Sequence, residues 1–154
     1  MPVIFDPMRL EGRRGTIYPP DFAAPYDKRL KRAMTSILGL TQFGVNLTTL
    51  EPGARSAERH WHAKEDEFIY VLAGEIVLVT KDGETELKPS MAAGFPAGDK
   101  NGHHLVNRSS EPAHYLEVGT RAKDDDVDYP DIDMKAEKRA GKIRFLHKDG
   151  TPYE

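Results

Sequence analysis

Short apolar or alternating stretches, separated by glycine, proline and acidic residues, run through the middle of this chain. Stretches of about four to eight such residues predict β-strands, and many of them at regular spacing favour a sandwich or a barrel. They lie at 37–50, 68–72, 75–81, 84–88, 90–95, 103–107 and 113–119. We therefore predict an all-β domain.

The most clearly marked turn is Asp82-Gly83, which separates the stretches 75–81 and 84–88. Asp-Gly is favoured in two-residue hairpin loops because both residues tolerate positive φ. These two stretches should therefore form an antiparallel hairpin.

Residues 1–36 lack this strand pattern. They are rich in proline, glycine and charge, and Tyr18-Pro19-Pro20 and Ala24-Pro25 interrupt any regular element. We expect an extended N-terminal arm. We interpret its basic run, Lys28-Arg29-Leu30-Lys31-Arg32, as a solvated face.

The C-terminal segment is acidic at its start. The run Asp124-Asp125-Asp126-Val127-Asp128 lacks the central glycine and distal glutamate of a calcium loop, so we interpret it as a solvated turn. Residues 131–140 predict a short helix, capped by Asp131 or Asp133 and ended by Gly141. The predicted organisation is an N-terminal arm at 1–36, a β-barrel at 37–120 and a C-terminal extension at 121–154 that packs on the barrel.

Composition places the chain among globular proteins. With 154 residues, 38% of them hydrophobic and 31% charged, it can bury one core. No apolar stretch reaches the roughly 18 residues of a membrane span, and the first residues lack the basic and long apolar regions of a secretory signal. We expect neither a membrane partner nor secretion.

Several function classes are disfavoured by what the sequence lacks. The absence of cysteine excludes disulfides, thiolate nucleophiles and thiolate metal sites, and it suits a reducing cytoplasm, where we expect the protein. A net charge of −3 provides no general attraction to nucleic acid. The motifs GxGxxG, GxxxxGK[ST] and GxSxG do not occur, which argues against nucleotide binding and serine-hydrolase chemistry.

Candidate chemistry is concentrated at His60-Trp61-His62. Successive side chains of a strand point to opposite faces, so histidines separated by one residue point the same way and can hold one cation. A third ligand on the next strand requires a short turn, which residues 63–66 supply before Glu67 opens an apolar run. The fourth ligand should come from a distant strand, and His103 is our choice.

Two adjacent residues, His103 and His104, are candidates for the fourth ligand. His114, in phase with Leu116 and Val118, either packs in the core or faces the barrel interior near this site. Imidazoles and one carboxylate suit zinc, iron, manganese and nickel, as well as cobalt and copper, so the ligand type does not select the ion. We predict one divalent metal ion per chain, held by His60, His62, Glu67 and His103.

The residues around these histidines resemble the first motif of the cupin superfamily, written G, five residues, HxH, three or four residues, E, six residues, G. The chain reads Gly53, six residues, His60-x-His62, four residues, Glu67, six residues, Gly74. Only the first gap departs, by one residue.

The second cupin motif, written G, five residues, PxG, two residues, H, three residues, N, is similar to a later segment. That segment reads Pro96-x-Gly98, four residues, His103, three residues, Asn107, so its gap before the histidine is longer. No glycine stands at the leading position. Asn107 favours His103 over His104 as the motif histidine.

The resemblance covers about residues 41–119 and implies a cupin-type double-stranded β-helix, or jelly-roll barrel. The expected fold is this barrel with the extended N-terminal arm and a short C-terminal helical tail. The ending from Lys148 to Tyr153 is similar to that of small single-domain bacterial cupins of the conserved-barrel type. The resemblance implies a homodimer, and an arm broken by prolines is also costly to order without a partner surface.

The function implied by the resemblance is broad, because cupins include dioxygenases, isomerases, epimerases, decarboxylases, lyases, sensors and storage proteins. Our leading hypothesis is a metal-dependent enzyme that acts on a small oxygenated metabolite through Lewis-acid or O₂ chemistry at a His₃Glu site. The alternative is a non-catalytic binding or sensing protein whose metal is structural or presents a ligand. The sequence assigns no catalytic residue, because no side chain stands out as the general base.

Overall fold

A computed structural model describes residues 1–154 and contains thirteen β-strands. The helical elements are short: α1 (Pro20–Ala23) and two 3₁₀ turns, Pro7–Arg9 and Ala24–Tyr26. None of these has the length or apolarity to cross a bilayer. The strands are β1 (Arg13–Arg14), β2 (Arg29–Ala33), β3 (Phe43–Leu50), β4 (Trp61–His62), β5 (Glu67–Ala73), β6 (Ile76–Thr80), β7 (Gly83–Leu87), β8 (Ala92–Phe95), β9 (His104–Val106), β10 (Ala113–Thr120), β11 (Asp125–Tyr129), β12 (Met134–Arg139) and β13 (Lys142–Leu146).

Two walls of antiparallel strands enclose the interior. The first is a six-stranded sheet in the order β1-β2-β3-β10-β5-β8. The second combines the three-stranded sheet β7-β6-β9 with the four-stranded sheet β13-β12-β11-β4, and the bridge His60↔His103, between the residues just before β4 and β9, joins these two sheets. The strands thus form the expected jelly-roll barrel.

The interior of the barrel is apolar at one end and polar at the other. Leu50 on β3 and Ala113 on β10 face each other in a buried cluster with residues of β5, β6 and β9. Farther along the same strands, the inward positions are polar: Asn46 on β3 and Glu117 on β10 are also register partners. The chain therefore closes one end of the barrel with a hydrophobic core and leaves a polar cavity at the other.

The basic run of the N-terminal segment forms β2, which pairs with β3. Because strand side chains alternate, Arg29 and Lys31 share one face, and both line the cavity. The interpretation of this run as a solvated face is therefore wrong for these two residues. The division into arm, barrel and extension stays a prediction.

The predicted C-terminal helix at 131–140 is wrong, since the segment forms β12. Met134 and Ala136 are buried with a period of two, which is a strand pattern. Ala140 and Gly141 have φ values of 51° and 79° and form the two-residue loop between β12 and β13. Asp133, expected to cap the helix, instead accepts a hydrogen bond from the Lys148 backbone N–H.

The predicted hairpin is present as β6 and β7, with its loop one residue earlier than expected. Thr80 pairs with Gly83, so Lys81 and Asp82 form the loop. Gly83 has a φ of 125° at the start of β7. The glycine therefore supplies the unusual backbone conformation at the edge of the loop.

Candidate metal centre

Two segments distant in sequence meet at the site through a backbone bridge. The His60 N–H donates to the His103 carbonyl at 3.2 Å, and the His103 N–H donates to the His60 carbonyl at 2.9 Å. The turn that precedes His103 is also tied to β4, because the Gly98 N–H donates to the His62 carbonyl at 2.8 Å. The two motifs are therefore hydrogen-bonded to each other.

The Glu67 carboxylate on β5 faces this bridge from the opposite wall. Its Oε2 lies 2.7 Å from His103 Nε2 and 3.6 Å from His60 Nε2, and its Oε1 lies 3.0 Å from His62 Nε2. One ligand atom from each of His60, His62 and Glu67 lies within 4.8 Å of the others. The structure thus brings together all four residues predicted as ligands.

Hydrogen bonds at the other ring nitrogens orient two of the imidazoles. His60 Nδ1 lies 2.8 Å from the Glu58 carbonyl, and His62 Nδ1 lies 2.6 Å from Asp125 Oδ2. These acceptors place the proton on Nδ1, so the Nε2 lone pairs point toward Glu67. The ring of Phe95 stacks on His103, with 3.5 Å between the ring centroids.

The donor set fits a divalent cation. Glu67 Oε2 is buried and forms no hydrogen bond, although two imidazole nitrogens are close to it. A carboxylate oxygen without a donor, beside imidazole lone pairs, requires a positive charge among them. Such nitrogen and oxygen donors suit the borderline divalent metals.

Without a cation, protons would supply that positive charge. Burial lowers the pKa of His62, but its contacts with Asp125 and Glu67 outweigh burial and raise that pKa to about 10. Burial raises the pKa of Glu67, yet the His103 and His60 imidazoles hold it well below its usual range. A metal must displace a proton from His62, so metal affinity should fall as the pH is lowered.

The other two candidate histidines lie elsewhere. His104 points away from Glu67, and its Nδ1 lies 3.0 Å from the Ala57 carbonyl. His114 lies on the outer face of the sheet, where its Nδ1 is 2.7 Å from Thr49 Oγ1. His114 therefore neither faces the barrel interior nor belongs to its core.

The acidic run contributes a buried partner of His62, a predicted ligand, and the sequence analysis did not identify this partner. Asp125 is only 1% exposed. Its Oδ2 contacts His62, and its Oδ1 accepts a hydrogen bond from the Lys64 N–H at 2.8 Å. The interpretation of the run as a solvated turn is wrong, because residues 125–129 form β11 and Asp125 is buried. The sequence signal for it was that Val127 and Tyr129 alternate with polar residues, which is a strand pattern. In such a strand Asp125 lies on the same face as Val127 and Tyr129.

Replacing Asp125 with asparagine should weaken metal binding by about 10- to 100-fold, the usual effect of losing the partner of a ligating histidine. His62 and the Lys64 N–H contact different oxygens of Asp125, so an amide would place its NH₂ group, which cannot accept a hydrogen bond, against one of them. Asp126→Asn is the matched control, because the Asp126 side chain is exposed and pairs with Arg139 rather than with a predicted ligand. Competition with a chelator of known affinity measures both variants, and equal affinities would refute this role of Asp125.

The centre opens into a cavity of about 600 Å³. Lys31, Asn46 and Glu117 lie on one wall, and the exposed side chains of Arg121 and Lys123 lie at its edge. The site is therefore accessible to a small polar molecule.

Comparisons with known proteins agree with this fold. The family model described as Cupin domain matches residues 46–119. A solved structure from Silicibacter pomeroyi, a sugar phosphate isomerase from a cupin superfamily, is 43% identical over 99% of this chain and 97% of that chain, with a TM-score of 0.93. The chain belongs to the cupin superfamily.

Other solved structures resemble this cupin at greater distance. A protein from Acidithiobacillus ferrooxidans, provisionally named a sugar phosphate isomerase, is 26% identical over 92% of this chain and 88% of its own, with a TM-score of 0.80. The polyketide cyclase RemF from Streptomyces resistomycificus is 20% identical over 78% of this chain and 80% of its own, with a TM-score of 0.62, and shares the fold alone. A search of curated proteins found no significant match. Cupins commonly bind a metal, and His60, His62 and Glu67 form a group able to hold one.

Proposed function

We propose that this cupin is a metal-dependent enzyme that acts on a small oxygenated metabolite. The observation that carries the proposal is the convergence of three imidazole nitrogens and the Glu67 carboxylate beside an open cavity. A divalent ion held by these four residues would supply Lewis-acid chemistry, polarising a carbonyl and stabilising an enediolate. Space beside the ligands favours catalysis over a closed structural site.

The metabolite we propose is a phosphorylated sugar, interconverted between its aldose and ketose forms. The 43% identical cupin from Silicibacter pomeroyi carries the name sugar phosphate isomerase. The cavity has a volume typical of small-molecule sites. A phosphorylated sugar carries hydroxyl groups and a phosphate, so the residues that line the cavity must bind both.

Two cations at the edge of the cavity suit the phosphate. Arg121 lies over Gly44, and a Cβ at Gly44 would be only 2.9 Å from Arg121 Nε. Neither Arg121 nor Lys123 forms a salt bridge, in contrast to Lys31, which pairs with Glu117, and Lys138, which pairs with Glu65. An unpaired guanidinium and ammonium provide the charge and the donors that a phosphate requires.

Isomerase activity can be tested with aldose phosphates of four to six carbons. The metal-loaded protein should convert at least one of them to its ketose, as followed by NMR, and should not convert the unphosphorylated sugars. Chelation should abolish the conversion and metal reloading should restore it. Binding of these sugar phosphates without conversion of any would refute the isomerase and support the non-catalytic alternative.

We also propose that the chain forms a homodimer through the outer face of the six-stranded sheet. Val45, Val118 and Phe68 are register partners on three neighbouring strands and form an apolar strip there. Phe68 and Leu72 are 42% and 44% exposed on the same face. A contiguous apolar strip of this kind favours burial against a second copy.

Light scattering should give twice the chain mass for the wild type and a single chain mass for Leu72→Glu. Glu86→Lys on the exposed strand β7 is the control and should remain dimeric. A monomeric wild type at all concentrations would refute the dimer.

A further inference from the structure

Interconversion of an aldose and a ketose requires a base that takes a proton from one carbon and returns it to the neighbouring carbon. Four carboxylates line the cavity: Glu65, Glu67, Glu117 and Asp125. Glu67 lies among the three imidazoles and is a predicted metal ligand. It is therefore not free to act on a substrate carbon.

Two of the remaining carboxylates are held by the protein. Both oxygens of Asp125 are engaged, one with His62 and the other with the Lys64 N–H, and the residue is almost completely buried. Glu65 Oε2 accepts hydrogen bonds from the Ala122 N–H at 2.9 Å and from Lys138 Nζ at 2.7 Å, while Oε1 lies 3.6 Å from His62 Nδ1. These two carboxylates support His62 and the C-terminal strands.

Glu117 differs because only one of its oxygens is engaged. Oε1 lies 2.8 Å from Lys31 Nζ and accepts hydrogen bonds from Asn46 Nδ2 at 3.0 Å and Thr48 Oγ1 at 3.2 Å. Oε2 has no partner in the protein, and it is not a buried atom. Three donors thus hold the carboxylate in place while its second oxygen remains accessible in the cavity.

The strand register places Glu117 near the metal centre. Gly119 on β10 is opposite Glu67 on β5, so Glu117 lies on the same face, two residues along the neighbouring strand. Diagonal neighbours of this kind have Cα atoms about 7–8 Å apart. Glu67, Glu117 and Gly119 all line the same cavity, and Gly119 places no side chain between the two carboxylates.

Tyrosines near the site are poorer bases. Tyr18 and Tyr129 both line the cavity. Burial raises the pKa of Tyr18 to about 12 and that of Tyr129 well above its usual range. Both phenols therefore stay protonated and can donate hydrogen bonds but cannot take up a proton at neutral pH.

We propose that Glu117 is the general base of the isomerisation, an assignment that rests on the proposed function. Oε2 takes the proton from the hydroxyl-bearing carbon next to the carbonyl. The C–H electron pair forms the carbon–carbon double bond of an enediolate, while the carbonyl π pair moves onto the carbonyl oxygen. The hydroxyl proton passes to that oxygen. The oxygen that lost the proton then forms the new carbonyl, as the electron pair of the carbon–carbon double bond takes the proton back from Oε2 at the former carbonyl carbon. The reaction neither gains nor loses protons or electrons, and Glu117 ends ionised beside Lys31.

Glu117→Gln tests the assignment, with Glu86→Gln as the matched control on the exposed strand β7. The aldose phosphate that the wild type converts fastest is the substrate, and deuterium incorporation from D₂O is followed together with turnover. The Glu117→Gln variant should lose about 10²- to 10⁴-fold in kcat and in deuterium incorporation. Its metal content, and its affinity for the corresponding sugar-alcohol phosphate, which has no carbonyl, should stay at the wild-type level.

Each of the other outcomes overturns a specific part of the proposal. Turnover of Glu117→Gln at the wild-type rate would show that Glu117 is not the base, while leaving the isomerase intact. Loss of metal or of sugar-alcohol phosphate binding along with turnover would assign Glu117 a structural or binding role instead. A wild type that converts no aldose phosphate would refute the proposed function, and the assignment of its base with it.

Discussion

The His60→Ala/His62→Ala variant should purify without metal, whereas the wild-type chain should carry about one equivalent of a divalent ion. His62 lies on β4 and His60 directly precedes it, on the same face of the chain, and both Nε2 atoms face Glu67. Losing the partner of one ligand costs about 10- to 100-fold in affinity, so losing two ligands should cost far more. Elemental analysis of protein purified without a histidine tag or chelator measures the difference.

The adjacent histidines His103 and His104 provide a matched pair for the same measurement. His103→Ala should lose the metal, because His103 Nε2 lies beside Glu67. His104→Ala should retain it, because His104 contacts the Ala57 carbonyl instead. Retention of metal by the double variant, or absence of metal from the wild type after reloading with divalent ions, would refute the site.

The ion found in this experiment also bears on the reaction. Zinc or manganese would agree with the Lewis-acid chemistry proposed for a sugar phosphate isomerase. Iron would instead favour an O₂-dependent reaction at the same four ligands. The elemental analysis thus tests the site and the class of chemistry together.

Gly74→Ala should destabilise the protein by about 3 kcal/mol or more, which lowers Tm by roughly 6–12 °C for a chain of this size. Gly74 follows β5 with a φ of 78°, a conformation that is strained for alanine. An added Cβ would also lie 2.7 Å from the Pro112 carbonyl oxygen and 2.8 Å from Ala113 Cα. Both contacts are with backbone, so neither can be relieved by a side-chain rotation.

Gly53→Ala separates these two effects. Gly53 has a φ of 85°, but a Cβ there would meet nothing within 4 Å. Only the backbone strain remains, and we expect a loss of about 1 kcal/mol, or roughly 2–4 °C in Tm. Thermal unfolding followed by circular dichroism compares both variants, and equal losses would show that the collision at Gly74 is absent.

The ligand candidates could be found from the sequence because their geometry is largely local. A spacing of two along a strand places His60 and His62 on one face, and the following turn returns Glu67 toward them. His103 required the second motif in addition, since its backbone bridge to His60 joins residues 43 positions apart. The sequence pattern therefore predicted the group, while the distances within it came from the fold.

The supporting residues could not be found in the same way. Asp125 and Glu117 look like ordinary acidic residues in the sequence, and Lys31 like part of a solvated basic run. Each acquires its role from pairing between distant strands: β11 with β4 for Asp125, and β10 and β2 with β3 for Glu117 and Lys31. No local spacing encodes those pairings.

The incorrect helix at 131–140 has a related cause. Local signals such as Asp133 near the start of the segment and Gly141 after it are compatible with a helix and with a hairpin. Burial of Met134 and Ala136 against aromatic residues of other segments selects the strand. Tertiary packing overrode a weak local preference.

By itself, the sequence determined the all-β class, the positions of the main strands and the four ligand candidates. Apart from His103, which required the second motif, these features depend on side-chain alternation and on turn residues, which act over a few positions along the chain. Only the tertiary structure decided which residues surround the ligands and what lines the cavity. Those relations depend on which distant strands form hydrogen bonds with one another, and the free energy that selects this pairing is shared over the whole buried interior.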